Sequence, residues 1–150
     1  MKLNVDGEYG WVVAAALLLY LQQQVIFVVI VVRARMRTHI KAPTLYPRDS
    51  EIKDLKLSPD QVDGYMRAQR IHQNNLEFMA MFVPVFLLSG LYNPVYTAIA
   101  GLWIFAFRLL FAIGYLRATT SRTWGGPFHF GELYCVITAA RLAYSLIQSA

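Results

Sequence analysis

The sequence predicts an all-α membrane protein, a bundle of four transmembrane helices. Of its 150 residues, 57% are apolar, which is more than a soluble core of this size requires. The apolar residues form four long segments, and polar connections or breaking residues separate them. Each segment is close to the roughly 20 residues that a helix needs to cross a bilayer. We therefore expect one membrane domain over residues 1–150, with helices at about 9–33, 63–91, 95–117 and 127–149.

The first apolar segment carries the strongest signal. Residues 10–32 contain no charged side chain, and a helix of that length crosses a bilayer core of about 30 Å. The segment lacks the short apolar core and small-residue cleavage site of a cleaved signal peptide. We interpret it as a retained signal anchor.

The connections between the segments predict the orientation of the chain. Residues 34–62 are rich in proline and charge and are expected to form a loop, and Asn93-Pro94 predicts a tight turn. Lysine and arginine concentrate in residues 33–62 and at Arg117 and Arg122, whereas the turn at Asn93 has none. By the positive-inside rule, both basic connections should be cytoplasmic, with the termini on the opposite side.

The charged residues within the predicted spans that need explanation are Glu77, Arg108, Glu132 and Arg141. A charge near the bilayer centre costs about 2.5–3.5 kcal/mol even on insertion scales, so each should meet a partner. For Glu77, the simplest alternative to a ligand is pairing with Arg70 or Arg108. Glu132 and Arg141 are expected to bond to neighbouring helices, and no function is assigned to them.

Helical periodicity groups the polar residues of the second span. Arg70, Asn74 and Glu77 are spaced by four and three positions and therefore share one face. His72 lies on the opposite face. A second polar face should exist on the third span, because its residues follow the same spacing: Arg108, Phe111, Tyr115 and, if the helix continues that far, Arg122. Two such faces predict a charged pocket for a small zwitterion or polyanion near the cytoplasmic side.

Several other chemistries are disfavoured. Cys135 is the only cysteine, so neither an intrachain disulfide nor a cysteine metal cluster can form. His39, His72 and His129 lie in separate segments without ligand spacing, so no metal site is expected. The net charge is +5, and the basic residues that produce it lie beside apolar spans. This distribution indicates membrane topology rather than nucleic-acid binding.

Residues 69–77, Gln-Arg-Ile-His-Gln-Asn-Asn-Leu-Glu, resemble the second-helix signature of the family of membrane-associated proteins in eicosanoid and glutathione metabolism (MAPEG). The similarity extends to four further motifs: Glu8-Tyr9-Gly10, Arg33-Ala34-Arg35, Pro43-Thr44-Leu45-Tyr46 and Gly114-Tyr115. The resemblance implies a left-handed four-helix bundle that forms a homotrimer. It also implies that glutathione, the cosubstrate, binds between neighbouring subunits, with membrane lipids around the assembly.

The resemblance further implies roles for individual residues. Arg70, Asn74 and Glu77 match positions that hold the glutathione backbone, and Tyr115 matches a tyrosine that lines the pocket. His72 and Arg35 match positions that contribute across the subunit interface, with Arg33 as the alternative to Arg35.

Arg122 matches the catalytic arginine that stabilises the glutathione thiolate. A thiol with a pKa of about 8.5 is mostly protonated at neutral pH, and an adjacent guanidinium favours the nucleophilic thiolate. The implied enzyme is a glutathione transferase or peroxidase that conjugates hydrophobic electrophiles or reduces lipid hydroperoxides. It would reside in the endoplasmic reticulum of a eukaryote or the inner membrane of a bacterium.

Alternatives within this family remain open. Phe78 and Phe111 replace two tyrosines of the leukotriene C4 synthase branch, and Thr123 replaces the serine typical of prostaglandin E synthase. A non-catalytic lipid-binding scaffold, like five-lipoxygenase-activating protein, would lack the arginine that Arg122 matches. A small transporter is a further alternative, although the sequence shows no inverted repeat. The connection over residues 34–62 is longer than in close relatives.

Overall fold

The computed structural model describes residues 7–149, so residues 1–6 and 150 of the predicted domain lie outside the described part. Four helices are long and apolar enough to cross a membrane, and the predicted fold class is confirmed. We refer to them as the first to fourth helices: Tyr9–Thr38, Pro59–Tyr92, Pro94–Arg117 and Phe128–Gln148.

The first helix is longer than predicted, because it continues past residue 33 to Thr38. The arginines that follow Val32 end the apolar segment but not the helix. Hydropathy predicts where the chain leaves the bilayer, and the helix continues beyond that point. The terminus is set by His39, whose φ of 58° places it in the left-handed conformation typical of helix ends.

A π turn over Gln22–Phe27 interrupts the first helix. Such turns are frequent at functional sites. Two consecutive glutamines, Gln22 and Gln23, are buried there. The Gln22 side-chain amide donates a hydrogen bond of 2.7 Å to the carbonyl oxygen of Phe105 on the third helix, while Gln23 bonds to the second helix. The first helix is therefore polar at one point of its buried face.

The connection predicted as a loop over residues 34–62 is partly helical. A short helix, Asp49–Asp54, lies within it, and the second helix begins at Pro59. Ser58 and Gln61 form a capping box in which each side chain accepts a hydrogen bond from the other residue's backbone N–H. The second helix thus begins ahead of its apolar segment, because capping and not hydropathy sets the start.

The second and third helices form the centre of the bundle, and the first and fourth helices each pack on both of them. Their contact surfaces form one apolar core: Val12, Ala15, Leu19, Phe82, Phe86, Ala98, Ala100, Ile104 and Cys135. Many large apolar residues lie outside this core, including Leu17, Ile99 and Leu133, each more than half exposed. Apolar surface this extensive is what a lipid-facing bundle requires.

The third helix ends at Arg117 and does not continue to Arg122, so the face that included Arg122 is not formed by helical periodicity. Ala118 is extended, with φ of −155°, and the chain then folds back as a 3-10 turn over Thr119–Gly125. This turn packs against the third helix. The position of Arg122 is therefore set by the 3-10 turn that folds back onto the third helix.

Candidate functional site

Arg70 and Glu77 lie on one face of the second helix. The guanidinium Nη1 of Arg70 is 3.7 Å from Oε1 of Glu77, and their side chains are 49% and 54% exposed. The Arg70 pairing considered from the sequence is thus present, but it is long and open. An exposed ion pair of this kind contributes at most about 1 kcal/mol. Each of the two side chains can therefore give up this ion pair and bind an oppositely charged group of a ligand.

Asn74, between them on the helix, contacts the third helix through Arg108. Arg108 is only 2% exposed. Its Nη1 donates to Oδ1 of Asn74 at 3.0 Å, its Nη2 to the Asn74 carbonyl oxygen at 3.2 Å, and its Nε to Oδ1 of Asn75 at 2.7 Å. Among the described residues, Arg108 forms no ion pair, so its partners are amides and not Glu77.

Three aromatic rings surround the Arg108 guanidinium. Its carbon lies 4.6 Å from the ring centroid of Phe78, 5.4 Å from that of Phe111 and 4.8 Å from that of Phe128. A cation above an aromatic face is stabilised by the ring's quadrupole. The site therefore holds a buried positive charge that no carboxylate among the described residues pairs with directly, although Glu132 interacts with it electrostatically.

The hydrogen bonds of Arg108 continue into the first helix. Nδ2 of Asn75 donates to Oε1 of Gln23 at 2.7 Å, and Nε2 of Gln23 approaches the His72 carbonyl oxygen at 3.5 Å. Gln23 and Asn75 were not predicted as site residues from the sequence, because neither side chain is charged. The available signal was an amide-rich run, residues 22–24, inside an otherwise apolar span.

Tyr115 lies beside this network. Its ring stacks on Phe111, with 5.6 Å between centroids, and it packs with Phe27 and Ile71 of the neighbouring helices. His72 is half-buried. Arg108 and Tyr115 therefore flank Phe111, as the spacing on the third helix predicts.

Arg35 forms its contacts within this chain. Its Nη2 donates to the Thr44 carbonyl oxygen at 2.9 Å, and its guanidinium lies 5.5 Å from the Tyr65 ring centroid. The Tyr65 hydroxyl donates to the same Thr44 oxygen at 2.6 Å. Arg35 thus links the connection over residues 34–62 to the first and second helices. Arg33, the alternative to Arg35, is exposed.

Within one chain, the structure brings together three pairs of residues: Arg70 with Glu77, Asn74 with Arg108, and Phe111 with Tyr115. In a comparison with known families, the model of the MAPEG family matches residues 12–142. The chain belongs to the MAPEG family. It is therefore an integral membrane protein of a family that contains glutathione transferases, peroxidases and non-catalytic members. Members of the family use glutathione.

Arg122 of this MAPEG chain is exposed on the 3-10 turn. No hydrogen bond or ion pair joins it to another of the described residues. The turn itself is braced by Arg117, whose guanidinium lies 5.5 Å from the Trp124 ring centroid. The Arg122 guanidinium is therefore without a partner among the described residues, and the turn that carries it is held in place by the contact between Arg117 and Trp124.

Glu132 and Arg141 form no hydrogen bond with a neighbouring helix among the described residues, although Glu132 interacts electrostatically with Arg108 of the third helix. Oε2 of Glu132 is 2.6 Å from Nδ1 of His129, one turn earlier on the same fourth helix, because residues three apart are neighbours on a helix surface. Arg141 is exposed. In the part of the chain that the structure describes, Arg141 has no contact with the site, and Glu132 acts on it only through its charge.

The position of Arg122 depends on Gly114, and this dependence can be tested. A Cβ at Gly114 would overlap the backbone carbonyl oxygen of Ser121. Replacing Gly114 by alanine should therefore displace the turn. We expect a loss of about 1–3 kcal/mol in unfolding free energy and a reduced rate of glutathione conjugation, measured by thermal unfolding and initial rates. Gly64→Ala is the control, because a Cβ there meets no atom within 4 Å. Equal behaviour of the two variants would contradict the prediction.

Proposed function

We propose that the protein is a glutathione-dependent membrane transferase or peroxidase, in the branch that includes microsomal glutathione S-transferase 3. Its substrates are hydrophobic electrophiles or lipid hydroperoxides. The observation that carries the proposal is the open Arg70–Glu77 pair, which shares a helix face with Asn74. Paired charges that are half exposed at this position require a polar ligand or a covering subunit, since lipid solvates neither charge.

Glutathione matches these groups by charge. At neutral pH it carries two carboxylates and one ammonium, so Arg70 can bind a carboxylate with two parallel hydrogen bonds. Glu77 can bind the ammonium, and Asn74 adds a neutral hydrogen bond. Tyr115 borders the pocket beside Phe111.

Half-exposed charges also support assembly. Around a single chain, the Arg70–Glu77 face would contact lipid. A homotrimer places a neighbouring copy over this face, with His72 and Arg35, or Arg33 in its place, contributing across the interface. The pocket would then be complete only in the assembly.

Arg122 supplies the catalytic charge in this proposal. Its guanidinium stabilises the glutathione thiolate and releases the thiol proton to solvent. In conjugation, the thiolate sulfur forms a bond to the electrophilic carbon and the electrophile's leaving group departs. In peroxidase turnover, the thiolate sulfur bonds to the terminal hydroperoxide oxygen as the O–O bond breaks. This yields a sulfenic acid and an alkoxide, which takes a proton from solvent to become the alcohol. A second glutathione converts the sulfenic acid to disulfide and water.

The basic connections face the cytosol in the proposed topology, which gives the pocket access to cytosolic glutathione. The membrane is that of the endoplasmic reticulum in a eukaryote, or the inner membrane in a bacterium. Leukotriene C4 synthase activity is less well supported, because Phe78 and Phe111 present rings and no hydroxyl groups to Arg108.

The proposal is tested with the detergent-solubilised protein and glutathione. Conjugation of a chlorodinitrobenzene and reduction of a fatty-acid hydroperoxide are measured in parallel, with S-methylglutathione as the control that lacks a thiol. We expect turnover of at least one substrate with glutathione and none with the control. Glutathione binding without turnover would instead favour the lipid-binding scaffold, and absence of both would refute the proposal. Light scattering of the purified protein tests the trimer.

A further inference from the structure

We infer that Arg108 is a positioning residue of the site, which orients the Asn74 side chain so that its N–H donors face the ligand. The inference rests on the proposed function, because it concerns how this site recognises glutathione. Arg108 lies on the third helix and is buried, so it does not itself form part of the open Arg70–Glu77 face.

The orientation of the Asn74 amide follows from the chemistry of arginine. A guanidinium has only donors, so the Asn74 atom 3.0 Å from Nη1 must be the acceptor Oδ1. Nδ2 then points away from Arg108, and it has no partner among the described residues. Asn74 shares its helix face with Arg70 and Glu77. Its free donors therefore suit a carboxylate or carbonyl oxygen of the ligand bound there.

The Arg108 guanidinium is itself held on several sides. Its Nη2 donates to the Asn74 backbone, and its Nε to Oδ1 of Asn75. Asn75 is oriented by the same logic, because its Nδ2 donates to Gln23 on the first helix. The orientation of Asn74 thus depends on all of the first three helices. Three aromatic rings enclose the remaining surface of the guanidinium: those of Phe78, Phe111 and Phe128.

The charge of Arg108 has a second consequence for the site. Tying these helices together requires only hydrogen bonds, which a neutral amide forms with a smaller desolvation penalty than a buried cation. Arg108 instead places a buried positive charge 3.0 Å from Asn74. Glu132 interacts with this charge electrostatically but forms no ion pair with it among the described residues. In a low-dielectric bundle this charge raises the affinity of the adjacent face for an anionic group. Arg108 therefore favours an anionic part of the ligand at Asn74.

Two kinds of variant separate this role from a purely structural one. Arg108→Gln removes the charge and the forked donor, and Arg108→Lys restores only the charge. Asn74→Asp keeps an acceptor for Arg108 but replaces the free donors by a negative charge. Arg141→Gln is the matched control, since it removes an arginine from a span without contact to the network. Each purified variant is measured for glutathione dissociation constant, KM, kcat and, without ligand, thermal unfolding.

We expect Asn74→Asp to unfold at or above the wild-type temperature and yet to bind glutathione about tenfold or more weakly. Arg108→Gln should raise KM for glutathione by a similar factor, with a smaller change in kcat, and Arg108→Lys should recover part of the loss. Arg141→Gln should bind as the wild type does. This pattern is not expected of a residue that only ties helices together.

The inference is overturned if Asn74→Asp folds and binds glutathione with wild-type affinity. It is also overturned if Arg108→Gln changes the unfolding temperature alone. Because Asn74→Asp leaves Arg108 in place, the first result decides even if Arg108→Gln fails to fold. Failure of the proposed function looks different: the wild-type protein itself would then bind no glutathione, and both proposals would fall.

Discussion

Replacing Arg122 by alanine is expected to lower the rate of glutathione conjugation at neutral pH by about two to three orders of magnitude, as for other lost oxyanion-type contacts. Arg122 is exposed and bonds to no other described residue, so its removal should leave the unfolding temperature unchanged. The loss therefore reflects the chemistry of the bound thiol. Glutathione affinity should change only a few-fold, because the other contacts of the ligand remain.

The positive charge of Arg122 also determines how the conjugation rate should depend on pH. A guanidinium stabilises the thiolate, so the pKa of bound glutathione should lie below the free value of about 8.5. In Arg122→Ala this pKa should return toward 8.5, and activity should partly recover as the pH rises above that value. The ultraviolet absorbance of the thiolate follows the titration directly. Arg122→Lys should retain part of the shift.

Arg37→Ala is the matched control for Arg122, because Arg37 is an exposed arginine at the end of the first helix with no role in the site. It should titrate and turn over like the wild type. If Arg122→Ala forms as much thiolate at neutral pH as the wild type and reacts as fast, another residue activates the thiol and the prediction is wrong.

Exchanging Arg70 and Glu77 gives the second large expected effect. Hydrogen bonds to charged groups contribute about 1.5–3 kcal/mol, so Arg70→Ala or Glu77→Gln should each weaken glutathione binding by about 10- to 100-fold. The double variant Arg70→Glu, Glu77→Arg restores an ion pair on the helix but reverses the charges that face the ligand. We expect it to bind glutathione no better than the single variants, as measured by calorimetry.

The double exchange distinguishes ligand binding from simple charge pairing. If Arg70 and Glu77 only satisfied each other, the exchanged pair would restore wild-type affinity and stability. A matched pair lies on the same helix, where Nη1 of Arg67 is 2.9 Å from Oδ2 of Asp63. Exchanging that pair should leave glutathione affinity unchanged, which controls for the effect of charge reversal on the helix itself.

The sequence by itself determined the four spans and the common face of Arg70, Asn74 and Glu77. Both are properties of a single helix, since length and hydropathy select membrane segments and a period of 3.6 residues selects faces. The motif in residues 69–77 also led to the family that the comparison then showed. Hydropathy could not give the helix ends, because capping at Ser58 and the left-handed His39 set them.

Only the tertiary structure decided which polar groups meet. Gln23, Asn75 and Arg108 lie on three different helices, and their contact depends on how those helices rotate and on the π turn in the first helix. Arg122 likewise is placed by a fold-back that Gly114 permits, and Glu132 bonds to His129 instead of another helix. Periodicity describes each helix alone, whereas side-chain partners are set by packing between helices, so the residues behind Asn74 became visible only in the folded bundle.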